Sequence, residues 1–198
     1  MRLFAQDGSP DKLANAPKSW RDPRAPLDLA RTRWARAPHA DVMSEQEVRR
    51  AWPGVVDALS KPAELVEGPR REASLLRAAD LLGELALQGM SLDAAPHGYT
   101  VAHLLAGYGT GHVRLLNQLF WSNANMAPTS PNDASLPIEV AAMMGHVDVV
   151  RRLYAMGCGV ARALFCAIRE SQLEVIKLLL HECGVNVDQR WAVTPRLS

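Results

Sequence analysis

The sequence predicts an all-α fold, a solenoid of stacked helical repeats behind a helical cap and an irregular N-terminal arm. Three observations carry this reading. Helix-stop residues recur at Gly89, Asn123 and Gly157, spaced by 34 residues and then 34 again, and Gly184 follows 27 later. Gly and Asn enter the left-handed backbone region cheaply, as a helix C-terminus requires, and a period in the low thirties marks a repeat array. "GYTVAHLLA" (98–106), "SLPIEVAAMMGHVDVVRRL" (135–153) and "ARALFCAIRESQLEVIKLLL" (161–180) each place a helix of small and apolar residues before a polar joint and a second aliphatic helix. The first firm helix start, at Ser44, comes only after about forty residues without apolar periodicity.

Bulk properties narrow the class. A chain of 198 residues that is 48% hydrophobic is long enough for one domain with a core, or for a short array with an arm. No apolar run approaches the roughly 18 to 20 residues of a membrane span, and "MRLFAQDGSP" lacks the apolar stretch of a secretory signal, so a cytoplasmic protein is expected. Cys158, Cys166 and Cys183 are odd in number and form no C-x-x-C pair, which reads as reduced, packing thiols.

Residues 1–42 form the arm. Its first forty residues hold eight Lys or Arg against four Asp, within a chain of net charge +1. The charges are dispersed among acids and prolines with no basic cluster of five, so a solvated, poorly ordered segment is expected ahead of contact with nucleic acid or an acidic membrane. Phe4, Leu27, Leu29 and Trp34 offer it a way of folding back. Residues 43–68 form the cap. Ser44 and Glu47 make a capping box, and Val48, Trp52, Val55 and Val56 an apolar stripe. Pro53 is expected to kink or divide this helix, and Pro62 and Gly68-Pro69 to break the chain before a strongly helical run at 70–87. Repeats occupy residues 69–190, and 191–198 form a C-terminal tail.

These segments resemble ankyrin repeats, whose signature runs T-P-L-H-x-A-A, then G-H, a V-V-x-L-L helix and G-A-D-V-N. The third unit matches through Pro137, Ile138, Ala141, Ala142, Gly145, His146, Val149, Val150, Leu153 and Gly157. The second has Thr100, Ala102, His103, Ala106, Gly111, His112, Leu115, Leu116 and Leu119, and the fourth Ala167, Glu174, Val175, Ile176, Leu178 and Leu179. A first unit matches only in its second helix, "DLLGELALQGMSLD". The resemblance spans roughly residues 69–188 and implies an ankyrin-like stack of three to four repeats. Residues 127–135, "APTSPNDAS", supply a full projecting finger, whereas almost none remains between Gly157 and Ala161. The family histidine at position 103 becomes Glu139 and then Phe165 in the next units, so its hydrogen bond is not expected to repeat down the stack.

The run "LLAGYGTGHVRLL" has the glycines of a phosphate loop and lacks the rest. It follows a helix opened by Thr100 rather than a strand, and no G-x-x-x-x-G-K-[ST] is present. In the repeat register Gly111-His112 coincides with Gly145-His146, with two residues inserted before it, making 107–110 a longer, more mobile joint. His103, His112 and His146 lack the i, i+4 spacing of helical metal ligands and read as histidines that fix turns through backbone bonds. No cofactor or metal is therefore expected. Glu139 is the most interesting carboxylate; it also lies in a first helical turn, where the macrodipole favours a negative charge by roughly 0.3 to 1 kcal/mol. Cys166, among Leu164, Phe165 and Ala167, reads as buried and unreactive.

The resemblance implies a non-enzymatic module or adaptor that binds another protein through the concave face lined by first helices and fingers. Candidate contacts are Tyr108, Met143 and Met144, Arg169 and Glu170 beside the joints, Tyr99, Asn132 and Asp133 on the fingers, and Trp121. With Trp191, Trp121 reads equally as a staple at an end of the array. Met143 or Met144 could instead pack on the next repeat. No small-molecule substrate or nucleic acid is expected as partner. Two other readings stay open: a bacterial effector or host-interaction factor with residues 1–42 as delivery segment, and an enzyme with a site near Glu139.

Overall fold

Every helix stop named above falls where the backbone turns left-handed: φ is +102° at Gly89, +61° at Asn123, +89° at Gly157 and +64° at Gly184. The computed structural model describes residues 41–185, and all its regular elements there are helical. Expectations for residues 1–40, for Trp191 and for the tail fall outside the described residues.

α1 (Glu45–Glu64) opens with the expected capping box. The Ser44 amide donates to Glu47 Oε2 at 2.8 Å, and the Glu47 amide reaches Ser44 Oγ at 3.4 Å. Pro53 does not divide this helix, and Pro62 does not break it. Pro53 lies on the exposed side, where the carbonyl it leaves without an amide donor faces solvent, and Pro62 lies in the last turn. Val48, Trp52, Val55 and Leu59 form the buried stripe, with Val56 half-buried beside it.

α2 (Pro69–Leu87) packs along α1, and Leu75, Ala78, Ala79 and Leu82 fill the contact. The chain before α1 also crosses the end of α2, where the Met43 amide donates to the Gly89 carbonyl at 3.2 Å. Three shorter pairs follow: α3 (Val101–Tyr108) with α4 (Val113–Trp121), α5 (Pro137–Met143) with α6 (Val147–Ala155), and α7 (Ala161–Arg169) with α8 (Leu173–His181). α1, α3, α5 and α7 stack in one row, and α4, α6 and α8 in a second. The core runs unbroken between the rows through Leu105, Leu115, Leu116, Leu119, Ile138, Val149, Val150, Leu153 and Leu179, all fully buried. Removing one such leucine side chain costs about 2 to 5 kcal/mol.

The second row is also tied along its outside. Arg114 on α4 pairs with Glu72 on α2, Arg152 on α6 bonds Asn117 on α4, and Arg151 on α6 reaches Glu182 beyond α8 at 3.0 Å.

At the joint between α3 and α4 the structure shifts the register expected from sequence. Nine residues separate Thr100, the N-cap of α3, from Gly109, and nine separate Leu136, the N-cap of α5, from Gly145. Gly109 and Gly145 both have positive φ, +95° and +77°, and each lies under the joint side chain of the next unit, His146 and Gln172. Gly109, not Gly111, is therefore the counterpart of Gly145. The two extra residues come after it and coil into a short 3₁₀ turn, Thr110–His112. The stretch is not a loose joint: it is wedged between the His146 ring and the Arg71 guanidinium.

The two glycines should respond oppositely to substitution. In Gly109→Ala, φ stays at +95° and the new Cβ falls 2.7 Å from His146 Cε1, so a loss of at least about 1 to 3 kcal/mol is expected. In Gly111→Ala, where φ is not positive, the Cβ first meets the Arg71 guanidinium, the far end of a flexible side chain that can shift, and the cost should stay under about 1 kcal/mol. Urea unfolding of the two variants checks this; equal losses would contradict the revised register.

Candidate functional site: the joint row and the fingers

The three histidines bond backbone groups, as the sequence suggests, and each also bridges to a neighbouring unit. His112 Nε2 donates to the Leu59 carbonyl at 2.8 Å, and His146 Nε2 to the Gly107 carbonyl at 2.9 Å. Gln172 takes the same role in the next unit, its amide Nε2 donating to the Met143 carbonyl at 2.9 Å. His103 points the other way. Its Nδ1 accepts the Thr100 amide at 3.2 Å, and its Nε2 donates to the Ser135 carbonyl at 3.1 Å, in the finger of the following unit. Burial of His103 and His112 pushes both imidazoles below their ordinary range, so they stay neutral and serve as fixed donors.

The joint row carries Tyr108, Met143, Met144, Arg169 and Glu170. Tyr108 and Met144 occupy equivalent places, one residue before their turn glycines. Met144 is 56% exposed, Met143 and Tyr108 are half-buried, and Arg169 and Glu170 are exposed. Arg169 links part of the row, reaching Met143 Sδ at 3.6 Å and Glu170 Oε1 at 2.9 Å. The Tyr108 ring packs on His112 with centroids 5.6 Å apart. Between Tyr108 and Met143 the surface stays apolar. Leu104 and Val140 are half-buried there, and Val140 lies close enough to Gly107 that a Cβ would meet it at 3.6 Å. Sequence reasoning missed Leu104 and Val140, although both stand four residues before a candidate it named.

The finger residues form a second group, and they are already engaged with one another. The Tyr99 hydroxyl donates to Asp133 Oδ2 at 3.1 Å, and Asn132 Nδ2 donates to the His97 carbonyl at 2.8 Å. The hydroxyl and amide of Ser135 hold the Asp133 carboxyl down at about 2. The 127–135 finger closes on itself through the Ser130 amide, which donates to the Ser135 carbonyl at 2.9 Å. Only residues 158–160 separate Gly157 from α7, so the fourth unit has no finger; Arg162 fills part of that space by donating to the Ala134 carbonyl at 3.1 Å. Trp121 lies apart from both groups, at the end of α4 in the second row, half-buried with its ring edge-on to Phe120.

Glu139 is almost fully buried. Its Oε2 accepts the Leu136 amide at 3.2 Å, in the place where His103 accepts Thr100, and Oε1 has no hydrogen bond, only the Arg162 guanidinium at 3.4 Å. Burial raises its carboxyl above the usual range. Burial also raises the neighbouring Cys166 thiol, which makes it a poor nucleophile at neutral pH. Among the described residues no group of three or more His, Cys, Asp or Glu side chains converges as a metal site would require.

A carboxyl raised on folding binds its proton more tightly in the native state, so it lowers stability as pH rises through its folded value. Glu139→Gln keeps an acceptor for the Leu136 amide and removes the buried charge. It should raise stability at pH 8 by on the order of 1 kcal/mol and change little at pH 4, where the carboxyl is protonated in both states. The histidines work in the other direction. Below about pH 6.5 the unfolded chain takes up protons that folded His103 and His112 refuse, so stability falls on acidification. Thermal melts of wild type and Glu139→Gln between pH 4 and 8 separate the two effects.

Residues 102–190 match the family model for ankyrin repeats, in three copies. No curated protein and no solved structure gives a significant match to the chain.

Proposed function

Because the chain carries ankyrin repeats over residues 102–190, which are generally protein–protein interaction modules and typically non-enzymatic, we propose that it is a binding module or adaptor working through its joint row. The observation that carries this is the largely apolar strip that runs from Leu104 and Tyr108 through Val140 to Met143, all half-buried, and on to Met144, which is exposed, bounded by the Arg169 and Glu170 charges. Methionine and tyrosine bury large area at low geometric cost, and a charged margin sets the register of a partner. The partner is another protein, one that offers an apolar ridge flanked by charges. The fingers serve as a rigid wall beside the strip, because Tyr99, Asn132 and Asp133 already bond across it.

A second reading, delivery into another cell through residues 1–42, has no observation among the described residues in its favour. The Glu139 reading is weakened by the acid's backbone and Arg162 partners.

Affinity capture with the full chain tests the joint row. A Tyr108→Ala, Met143→Ala, Met144→Ala variant should lose the bound protein at least tenfold, as expected when central anchors are truncated. A control pair on α2, Leu76→Ala and Leu87→Ala, should retain it. Equal capture by both variants would place binding elsewhere.

A further inference from the structure

The joint row is bounded differently at its two ends. One end carries Arg169 and Glu170, which neutralise one another across 2.9 Å. The other is built by α1. The Leu59 carbonyl accepts from His112 as the Gly107 carbonyl accepts from His146 and the Met143 carbonyl from Gln172, so Leu59, Gly107 and Met143 hold equivalent places. α3 ends one residue after that place, at Tyr108, and α5 ends on it. α1 continues to Glu64, five residues after it, a further rise of roughly 7 Å. The last turn of α1 therefore stands beside Tyr108 as an end wall of the row.

Three features of this wall share one sign. The C-terminal end of a 20-residue helix carries a partial negative charge. Glu64 adds a full one, exposed and in the last turn, where the macrodipole opposes an acid. The face of the Tyr108 ring is negative through its π system. Glu64 lies within electrostatic reach of that ring: burial raises the Tyr108 hydroxyl above its ordinary range, and the Glu64 charge raises it further. The neighbouring charges are engaged elsewhere. Lys61 pairs with Asp57, Arg71 faces Glu67 at 3.7 Å, and Arg114 pairs with Glu72. Arg70 stands with exposed Ala73 and Arg77 on the outer side of α2. Among the described residues no cation pairs with Glu64, although an acid at that helix end contributes nothing to stability.

Resting on the reading of the joint row as the binding surface, we propose that its partner is a protein segment with a lysine or arginine that seats between Glu64 and the Tyr108 ring, and with apolar side chains that follow over Val140, Met143 and Met144. Neighbouring units lie roughly 8 to 10 Å apart. The cation and the first apolar side chain are thus separated by about three residues in a polyproline-type extended chain, or about seven in a helix. An acidic side chain is repelled at the same place, so Glu64 fixes the direction in which the partner lies along the row.

A phage-displayed library of short random peptides, selected on the full chain, tests this. Enriched peptides should carry a lysine or arginine at one of those two spacings from an apolar residue. The strongest is then synthesised and titrated against the full chain by fluorescence anisotropy. Glu64→Lys should weaken it about fivefold at an unchanged melting temperature, because Glu64 is exposed and bonds no side chain among the described residues. Exchanging the peptide's cation for glutamate should restore binding to Glu64→Lys. A library that yields no binder, enrichment without basic residues, or equal affinity for wild type and Glu64→Lys overturns the proposal. Failure of the underlying reading shows separately: a peptide that binds Tyr108→Ala, Met143→Ala, Met144→Ala as tightly as wild type does not sit on the joint row, whatever Glu64→Lys does.

Discussion

The stack depends on one recurring hydrogen bond, from the side chain at each joint back to a backbone carbonyl near the C-terminal end of the preceding unit's first helix. The carbonyls of a final helical turn have no amide of their own helix to accept from. Those of Gly107 and Met143 are supplied by His146 and Gln172, each directly ahead of the second helix in the following unit, and His112 donates in the same way to the Leu59 carbonyl, five residues before the end of α1. The bond fixes the offset between units more tightly than apolar packing alone, because a carbonyl buried without a donor costs about 1 to 3 kcal/mol. It also explains the glycine before each joint. The side chain crosses directly over the turn, so at Gly109 and Gly145 a Cβ would stand where His146 and Gln172 lie. In the fourth unit the corresponding turn is made by Ser171 at φ +57° instead.

The same bond defines how far the stack extends towards the N-terminus. The carbonyl that receives His112 belongs to Leu59, in a helix of 20 residues that carries two prolines and none of the repeat signature. α1 nonetheless takes the place of a first helix beside α3, and α2 reaches the second row through the Glu72 and Arg114 pair. Long helices can substitute for short ones here because only the face toward the next unit must conform. That face is Val55, Leu59 and Pro62, all buried.

Much of this was legible in the sequence. Helix stops at Gly89, Asn123, Gly157 and Gly184 follow from backbone sterics alone, and the missing finger before Ala161 follows from chain length. What the linear pattern hides is set by contacts between units. Aligning Gly111 with Gly145 is natural when both precede a histidine, yet the turn needs its positive-φ glycine at a fixed distance from the N-cap, which selects Gly109. Nor does the sequence reveal that Pro53 sits on a solvent face, where a lost hydrogen bond is cheap. For the candidate site, Met144 at the joint was readable from register. The engagement of Tyr99, Asn132 and Asp133 with one another was not, since it joins residues more than 30 apart in the chain.

The position held in turn by His103, Glu139 and Phe165 shows how the stack can vary without losing order. Its first duty is local: His103 Nδ1 and Glu139 Oε2 each accept the N-cap amide of their own helix, Thr100 and Leu136. Its second duty is set by what the next unit presents. Against the Ser135 carbonyl the residue must donate, and His103 has an N–H to offer; against the Arg162 guanidinium it must attract a cation, and Glu139 carries the charge. The finger before Ala161 is absent, so no carbonyl stands opposite Glu139 as Ser135 stands opposite His103, and a histidine there would have lost its acceptor. Phe165 offers neither donor nor acceptor. By the same rule its neighbour has to be apolar, and leaving the ring in water forfeits roughly 1.5 to 3 kcal/mol of apolar burial.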